Sequence, residues 1–311
     1  MRFRILSLCY ASAAFLLLIF PSRATINIDV ATIEKSIVFL YPADAKGAVD
    51  KSTPIGTGFL VGVRLKSDPA QMHSFLVTAR HMFDPRWAKC GGANPSIVYM
   101  RLNTKNYVPG TSVSGFEYVP LRLTDHGSPT WAHSTKEDVD AAVLPLHETE
   151  LSKNFDFTLL PPEMFASDAE LATLGTGDPV ASAGLMVGMP GVRRNYPIFK
   201  FGQISNIPQE DVETHCSTHP SAFLEKVWLI AANLIAGNSG SPIFYVPLGG
   251  SGTPDSHARP MLIGVQSMFF DGQDVAGMTP INLVYDIFES MVLPDADLHR
   301  SASLSLTPDP K

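Results

Sequence analysis

Ala236-Gly237-Asn238-Ser239-Gly240-Ser241-Pro242-Ile243-Phe244 is the stretch on which the fold turns. A serine stands between two glycines, and an apolar run follows at once. Small residues at 237 and 240 let the backbone turn tightly enough to expose a hydroxyl ahead of a strand. Such a turn also aims the N–H groups of Gly237 and Ser239 at one point, as a backbone oxyanion hole requires. Taken alone, Gly-Asn-Ser-Gly is also the composition of an ordinary loop.

Two upstream segments give the serine partners. In Phe75-Leu-Val-Thr-Ala-Arg-His81 an apolar strand ends and a histidine follows, a rigid mount for a general base. In Asp138-Val-Asp140-Ala-Ala-Val-Leu-Pro-Leu146 a carboxylate stands directly before an apolar strand. A buried Asp there would accept the Nδ1 proton of an imidazole, fix its tautomer and stabilise the imidazolium. Alternation puts Asp138 and Asp140 on one strand face. Asp140 is the choice because Ala141-Ala-Val-Leu144 follows it directly. Each segment has a bland reading, as loop, strand cap or turn. The order His81, Asp140, Ser239 is far less common by chance.

Outward from these segments the chain reads as two blocks of short strands. Runs at 36–41, 56–63, 74–78, 96–102, 119–123 and 141–146 are rich in Val, Ile, Leu and Phe and are punctuated by Gly, Pro, Asn and Asp. The pattern changes over 148–177, where a short helix is expected within 162–174, and this segment is read as a crossing between two halves. The second block has runs at 180–184, 198–207, 226–231, 241–246, 261–269 and 280–284. The expected organisation is a signal peptide over 1–24, a first barrel over 25–150, a crossing over 151–178, a second barrel over 179–292 and an unstructured tail over 293–311.

Composition narrows the function classes. The chain has 311 residues, 45% of them apolar and 17% charged, enough to bury a substantial core. Arg2 and Arg4 precede an apolar stretch over 5–20, and Ser22-Arg23-Ala24 offers small residues to a signal peptidase. Cleavage after Ala24 is expected, with a secreted or periplasmic product and no membrane contact afterwards. That cleavage removes three of the 23 basic residues and none of the 30 acids, so the remainder is acidic and nucleic acid is not expected as a partner. Cys90 and Cys216 would remain, bridged or free.

The three segments resemble the motifs of the chymotrypsin/trypsin-like serine peptidases. The family's Thr-Ala-Ala-His stands here as Thr78-Ala-Arg-His81, its Asp-x-Ala-x-Leu strand as Asp140-Ala-Ala-Val-Leu144, and its Gly-Asp/Asn-Ser-Gly-Gly-Pro as Gly237-Asn-Ser-Gly-Ser-Pro242. Gly56-Thr-Gly-Phe-Leu-Val61 is similar to the strand before the histidine in bacterial members, and Leu262-Ile-Gly-Val-Gln266 to the strand that follows the serine. The resemblance covers about 30–290. It implies an all-β chain of two packed antiparallel β-barrels with the active site between them. It implies a serine endopeptidase acting on protein or peptide substrates through His81, Asp140 and Ser239 without a cofactor. The pocket for the residue before the scissile bond would lie at 233–236 and 265–269, with Asn233, Val265, Gln266, Ser267 and Met268 as its walls. No acid stands at 233–236, so an apolar residue is the expected occupant, unless Asp271 or Asp274 reaches in. Neutral Asn238 and the lack of an activation sequence point to the bacterial-style branch that needs no zymogen cleavage. Two departures stand out: Arg80 beside the histidine, and Ser241 in place of a glycine.

Other classes fit less well. An α/β-hydrolase needs Gly-x-Ser-x-Gly and the order Ser, Asp, His. A binding protein of the same fold remains the alternative, since fold alone does not make an enzyme. His215-Cys-Ser-Thr-His219 puts two histidines at i, i+4, but no third ligand is near and no metal is expected. Oligomeric state is not legible.

Overall fold

The computed structural model describes residues 29–297 apart from 69, 112, 216–220, 236, 248–258, 271, 272 and 292–294. The expected signal peptide, Cys216, His219, Asp271 and residues 298–311 lie outside the described residues. The first half contains helix α1 (Val30–Ser36) and strands β1 (Ile37–Pro42), β2 (Gly56–Arg64), β3 (Met72–Thr78), β4 (Ile97–Asn103), β5 (Phe116–Arg122), β6 (Thr124–Asp125), β7 (Ser128–Pro129), β8 (Ala132–His133) and β9 (Ala142–Leu146). Helices α2 (Glu148–Asn154) and α3 (Asp168–Leu171) occupy the crossing. The second half contains β10 (Pro179–Gly184), β11 (Ile198–Asn206), β12 (Val212–His215), β13 (Ala222–Glu225), β14 (Trp228–Ala231), β15 (Pro242–Tyr245), β16 (Met261–Phe270), β17 (Val275–Pro280) and α4 (Ile281–Ser290).

All strand pairings are antiparallel within the two main sheets. The second half closes in the order β10-β11-β14-β17-β16-β15, with β15 pairing back onto β10. The first half is a curled seven-stranded sheet in the order β5-β4-β1-β2-β3-β9-β8, left open between β5 and β8. This closed barrel and half-barrel make the two-barrel, chymotrypsin-type arrangement. The first half is not closed, and its last edge strand, β8, is only two residues long.

The apolar runs sort by period two. In β1, Phe39 and Tyr41 enter one core while Val38 and Leu40 enter another. In β3, Phe75 and Val77 go one way and Leu76 the other. Both faces are dry, so these strands read as continuous apolar runs and not as apolar–polar alternation. The larger core is continuous with the barrel interior through Ile243, Leu262 and Met278. Fully burying each such side chain stabilises the fold by about 1.5–3 kcal/mol.

Several segments differ from the sequence reading, among them the short helices α1 and α2 and the strands β6 to β8, which it does not include. The run at 280–284 is not a strand: β17 ends at Pro280 and α4 begins at Ile281. Ile281, Val284, Tyr285 and Phe288 are buried at helical spacing, and Phe288 meets Phe75 edge-on at 5.1 Å, so packing selects the helix. The hairpin β12–β13 was not expected at all. Within the stretch read as an unstructured tail, Ala296 bridges Leu65, and Asp295 O accepts from Lys66 N at 2.7 Å. The helix expected within 162–174 is α3, held by a capping box between Ser167 and Glu170.

Candidate active site

Strand register brings His81 and Asp140 together. β3 pairs with β9 so that Thr78 faces Ala142. The residues just past the end of β3 and just before β9 therefore emerge side by side. A 3-10 turn at Arg80–Met82 then points His81 back toward the carboxylate. Asp140 Oδ2 lies 2.6 Å from His81 Nδ1, and Oδ1 accepts from the His81 backbone N–H at 2.9 Å. Asp140 is fully buried, whereas the His81 ring keeps 18% of its surface exposed. With Nδ1–H donated to the carboxylate, Nε2 is the nitrogen left to act as acceptor. Asp138 does not join the pair. Its carbonyl accepts from Lys226 N at 2.7 Å, and its side chain borders a separate, acidic cavity.

The serine loop is held from both halves. Gly237 and Gly240 have φ of 90° and 87°, where a side chain is strained. A Cβ on Gly240 would lie 2.0 Å from Thr57 O. Ser241 is not among the residues of positive φ, so a serine fits where the resembled motif has glycine. Thr57, fully buried at the start of β2, reaches across to the second half. Its N–H donates to Ser239 O at 2.9 Å, its hydroxyl donates to Gly237 O at 2.8 Å, and the same Oγ1 accepts from Leu185 N at 2.9 Å. Asn238 is pinned as well. Its Oδ1 accepts from Lys200 Nζ and Ile235 N, both at 3.0 Å, and its Nδ2 donates to Leu185 O at 2.7 Å. Burial holds the Lys200 ammonium below its ordinary pKa.

His81 and Ser239 line one cleft of about 400 Å³, together with Gly237, Ser267 and Met268. Ser239 Oγ donates to Ser267 O at 3.3 Å. The remaining sequence-predicted wall residues fall elsewhere. Val265 is packed in the large core, Gln266 is buried with Nε2 donating to Met268 O at 2.8 Å, and Asn233 is exposed; none of the three lines the cleft. Phe269, at the end of the expected 265–269 wall, and Phe270 just beyond it also line the cleft, making that wall apolar. Arg80 does not crowd the cleft. Its guanidinium sits 4.8 Å from the Trp87 ring centroid and within 3.6 Å of Asp84 and Glu137. Cys90, also at the cleft, is disulfide-bonded.

The hairpin β12–β13 adds a wall that the sequence did not reveal. Thr214, Phe223 and Glu225 from it line the cleft. Glu225 is 2% exposed, and burial, with the Asp140 charge second, pushes its carboxyl well above the usual carboxylate range. Ala222-Phe-Leu-Glu225 is too short and does not alternate in polarity, so a glutamate on its inner face does not advertise a strand.

No protein-family model matches the chain, and no curated protein matches it either. Among solved structures, it is similar to the Rv3671c protease from M. tuberculosis in its active form, at 16% identity over 92% of this chain and 93% of that one, with a TM-score of 0.43. It is similar to the HtrA-type protease AlgW with a decapeptide, at 14% identity over 84% of this chain and 64% of that one, with a TM-score of 0.44. Human heparin binding protein matches at 14% identity over 83% of this chain and 91% of that one, also with a TM-score of 0.44.

Proposed function

We propose that this chain is a secreted serine endopeptidase in which His81, Asp140 and Ser239 act as a catalytic triad. The observation that carries the reading is the two-point grip of Asp140 on His81, at 2.6 and 2.9 Å, in the same cleft as Ser239. In the reaction, His81 Nε2 takes the Ser239 Oγ proton as Oγ bonds to the substrate carbonyl carbon. The N–H groups of Gly237 and Ser239 hold the resulting oxyanion. The imidazolium then gives its proton to the amide nitrogen as the C–N bond breaks, leaving an acyl-enzyme. Water, deprotonated by the same His81, releases the acyl group.

Several features support the finer points. Asn238 is held by internal partners, including Lys200, so activity would not await a newly cut N-terminus. Met268, Phe269 and Phe270 favour an apolar residue before the scissile bond. The two-residue n-region arginines and the apolar run after them support export. One observation favours the alternative, a non-catalytic binding protein of this fold: the Ser239 hydroxyl donates to Ser267 O and must turn to reach His81.

Labelling of the purified protein with a fluorophosphonate separates the two. The peptidase reading expects stoichiometric labelling that is lost in Ser239→Ala. A wild-type protein that stays unlabelled, with no cleavage of a peptide library, overturns it.

A further inference from the structure

The register of the β12–β13 hairpin pairs Val212 with Glu225 and Thr214 with Phe223. All four side chains therefore project from one face, the buried one. A glutamate on that face breaks the alternation that puts charge toward water. Lone buried carboxyls are expensive, and departures of this kind concentrate at functional sites.

Glu225 is only weakly compensated from within. The hydroxyls of Thr214 and Ser267 approach its carboxyl, yet Glu225 Oε2, Thr214 Oγ1 and Ser267 Oγ all lack a partner in hydrogen-bond geometry. No cation among the described residues faces it. Lys226, next in sequence, turns its Nζ to Gln209 O and Asp211. Arg80 is engaged by Asp84, Glu137 and the Trp87 ring. Among the described residues, the charge that bears on Glu225 is another carboxylate, Asp140. All three orphan oxygens belong to residues that line the cleft with His81 and Ser239.

We propose that this recess is a subsite for a lysine side chain of the peptide substrate, N-terminal to the residue whose carbonyl Ser239 attacks, with Glu225 as its specificity determinant. The proposal rests on the peptidase reading above. A primary ammonium carries three N–H donors, one for each orphan oxygen. Its charge would be balanced by Glu225, which gives up its proton as the ammonium enters. The neighbouring cavity beside the hairpin carries Glu137, Asp138, Asp211 and Glu213 against a single cation, Lys89, a net acidic field that draws cationic peptides toward this end of the cleft.

The test uses two positional-scanning peptide libraries that differ only in carrying lysine or norleucine at the scanned position. Wild type is expected to cleave the lysine set about 10- to 100-fold faster at one position before the bond, the scale of a charge-assisted hydrogen bond. In Glu225→Gln the lysine-to-norleucine ratio falls to about one. Binding of the best lysine peptide to Ser239→Ala is also followed by calorimetry at pH 7 in two buffers of different ionisation enthalpy. Proton release on binding is expected, because the Glu225 carboxyl is pushed upward by its burial, and this readout needs no change at Glu225. A ratio of one in wild type, a ratio unchanged in Glu225→Gln, or no proton release overturns the subsite. Loss of fluorophosphonate labelling in wild type would instead overturn the peptidase reading, while binding to Ser239→Ala would still report on the recess.

Discussion

Thr57 offers the sharpest test of how the two halves cooperate. Thr57→Val keeps the side-chain shape and the β-branch but removes the hydroxyl. The Leu185 N–H then loses its acceptor at 2.9 Å, and Gly237 O loses its donor at 2.8 Å. Both lie at a fully buried position, so water cannot replace the hydroxyl without opening the structure. A buried polar group left unpaired costs about 1–3 kcal/mol, so the pair amounts to about 2–6 kcal/mol. Stability of a domain is itself only about 5–15 kcal/mol, which makes this a large fraction. Thr57→Ser is the control: it keeps both hydrogen bonds and gives up one methyl group, worth about 1 kcal/mol. Urea denaturation should show a much lower midpoint for the valine variant, at an unchanged slope. The Gly237 peptide also loses its anchor, so fluorophosphonate labelling should slow by at least about tenfold, short of the 10²–10³ seen when an oxyanion donor is removed outright. If the valine variant proves more stable than the serine variant, or labels as fast as wild type, Thr57 is not the tie described above.

Other expectations follow from the same geometry. Gly240→Ala should lose labelling by destroying the turn, because its Cβ would sit 2.0 Å from Thr57 O at a φ of 87°; a labelled, stable variant would refute this. Asp140→Asn should fold but react about 10⁴-fold more slowly, since an amide leaves the imidazole in the wrong tautomer; a loss under tenfold in the labelling rate would show that the pair does not orient His81. Glu225 should also tilt stability with pH. Its folded-state pKa is raised, so the unfolded chain releases that proton first, and stability falls as pH climbs past the unfolded value near about 4.3. Glu225→Gln should therefore melt higher than wild type at pH 7–8, with the gap closing toward pH 4; a gap independent of pH would refute the shift.

Much of the candidate site was legible because its motifs are local. The strand ends that carry His81 and Asp140, and the glycine-flanked turn of Ser239, each advertise themselves within nine residues. The strands with two dry faces, such as β2 and β16, were legible as runs that are apolar apart from Thr57 in one and Gln266 and Ser267 in the other. What stayed hidden depends on register or on packing. β12 and β13 are four residues each, and their inner face mixes Val212 and Phe223 with Thr214 and Glu225. That pattern has no apolar stripe, so only the partner strand defines it. Ile281-Asn-Leu-Val284 is a short run of strand-favouring residues, and it becomes helix because Tyr285, Ile287 and Phe288 find the core at helical spacing. Thr57 and Lys200 touch the serine loop from distant parts of the chain, through contacts that no motif records.

The return of the chain to the first half has a mechanical consequence. After completing the barrel, it runs along α4, seats Phe288 against Phe75, and ties Asp295–Asp297 to the backbone of residues 64–67, with Asp297 N donating to Arg64 O at 2.7 Å. Besides the contacts of Thr57, the halves are thus joined by the crossing at 147–178 and by this strap. A clamp fastened at both ends can slide its jaws past one another by small amounts but cannot swing them apart. The cleft should consequently admit substrate as an extended segment threaded along it, at a width fixed before the encounter.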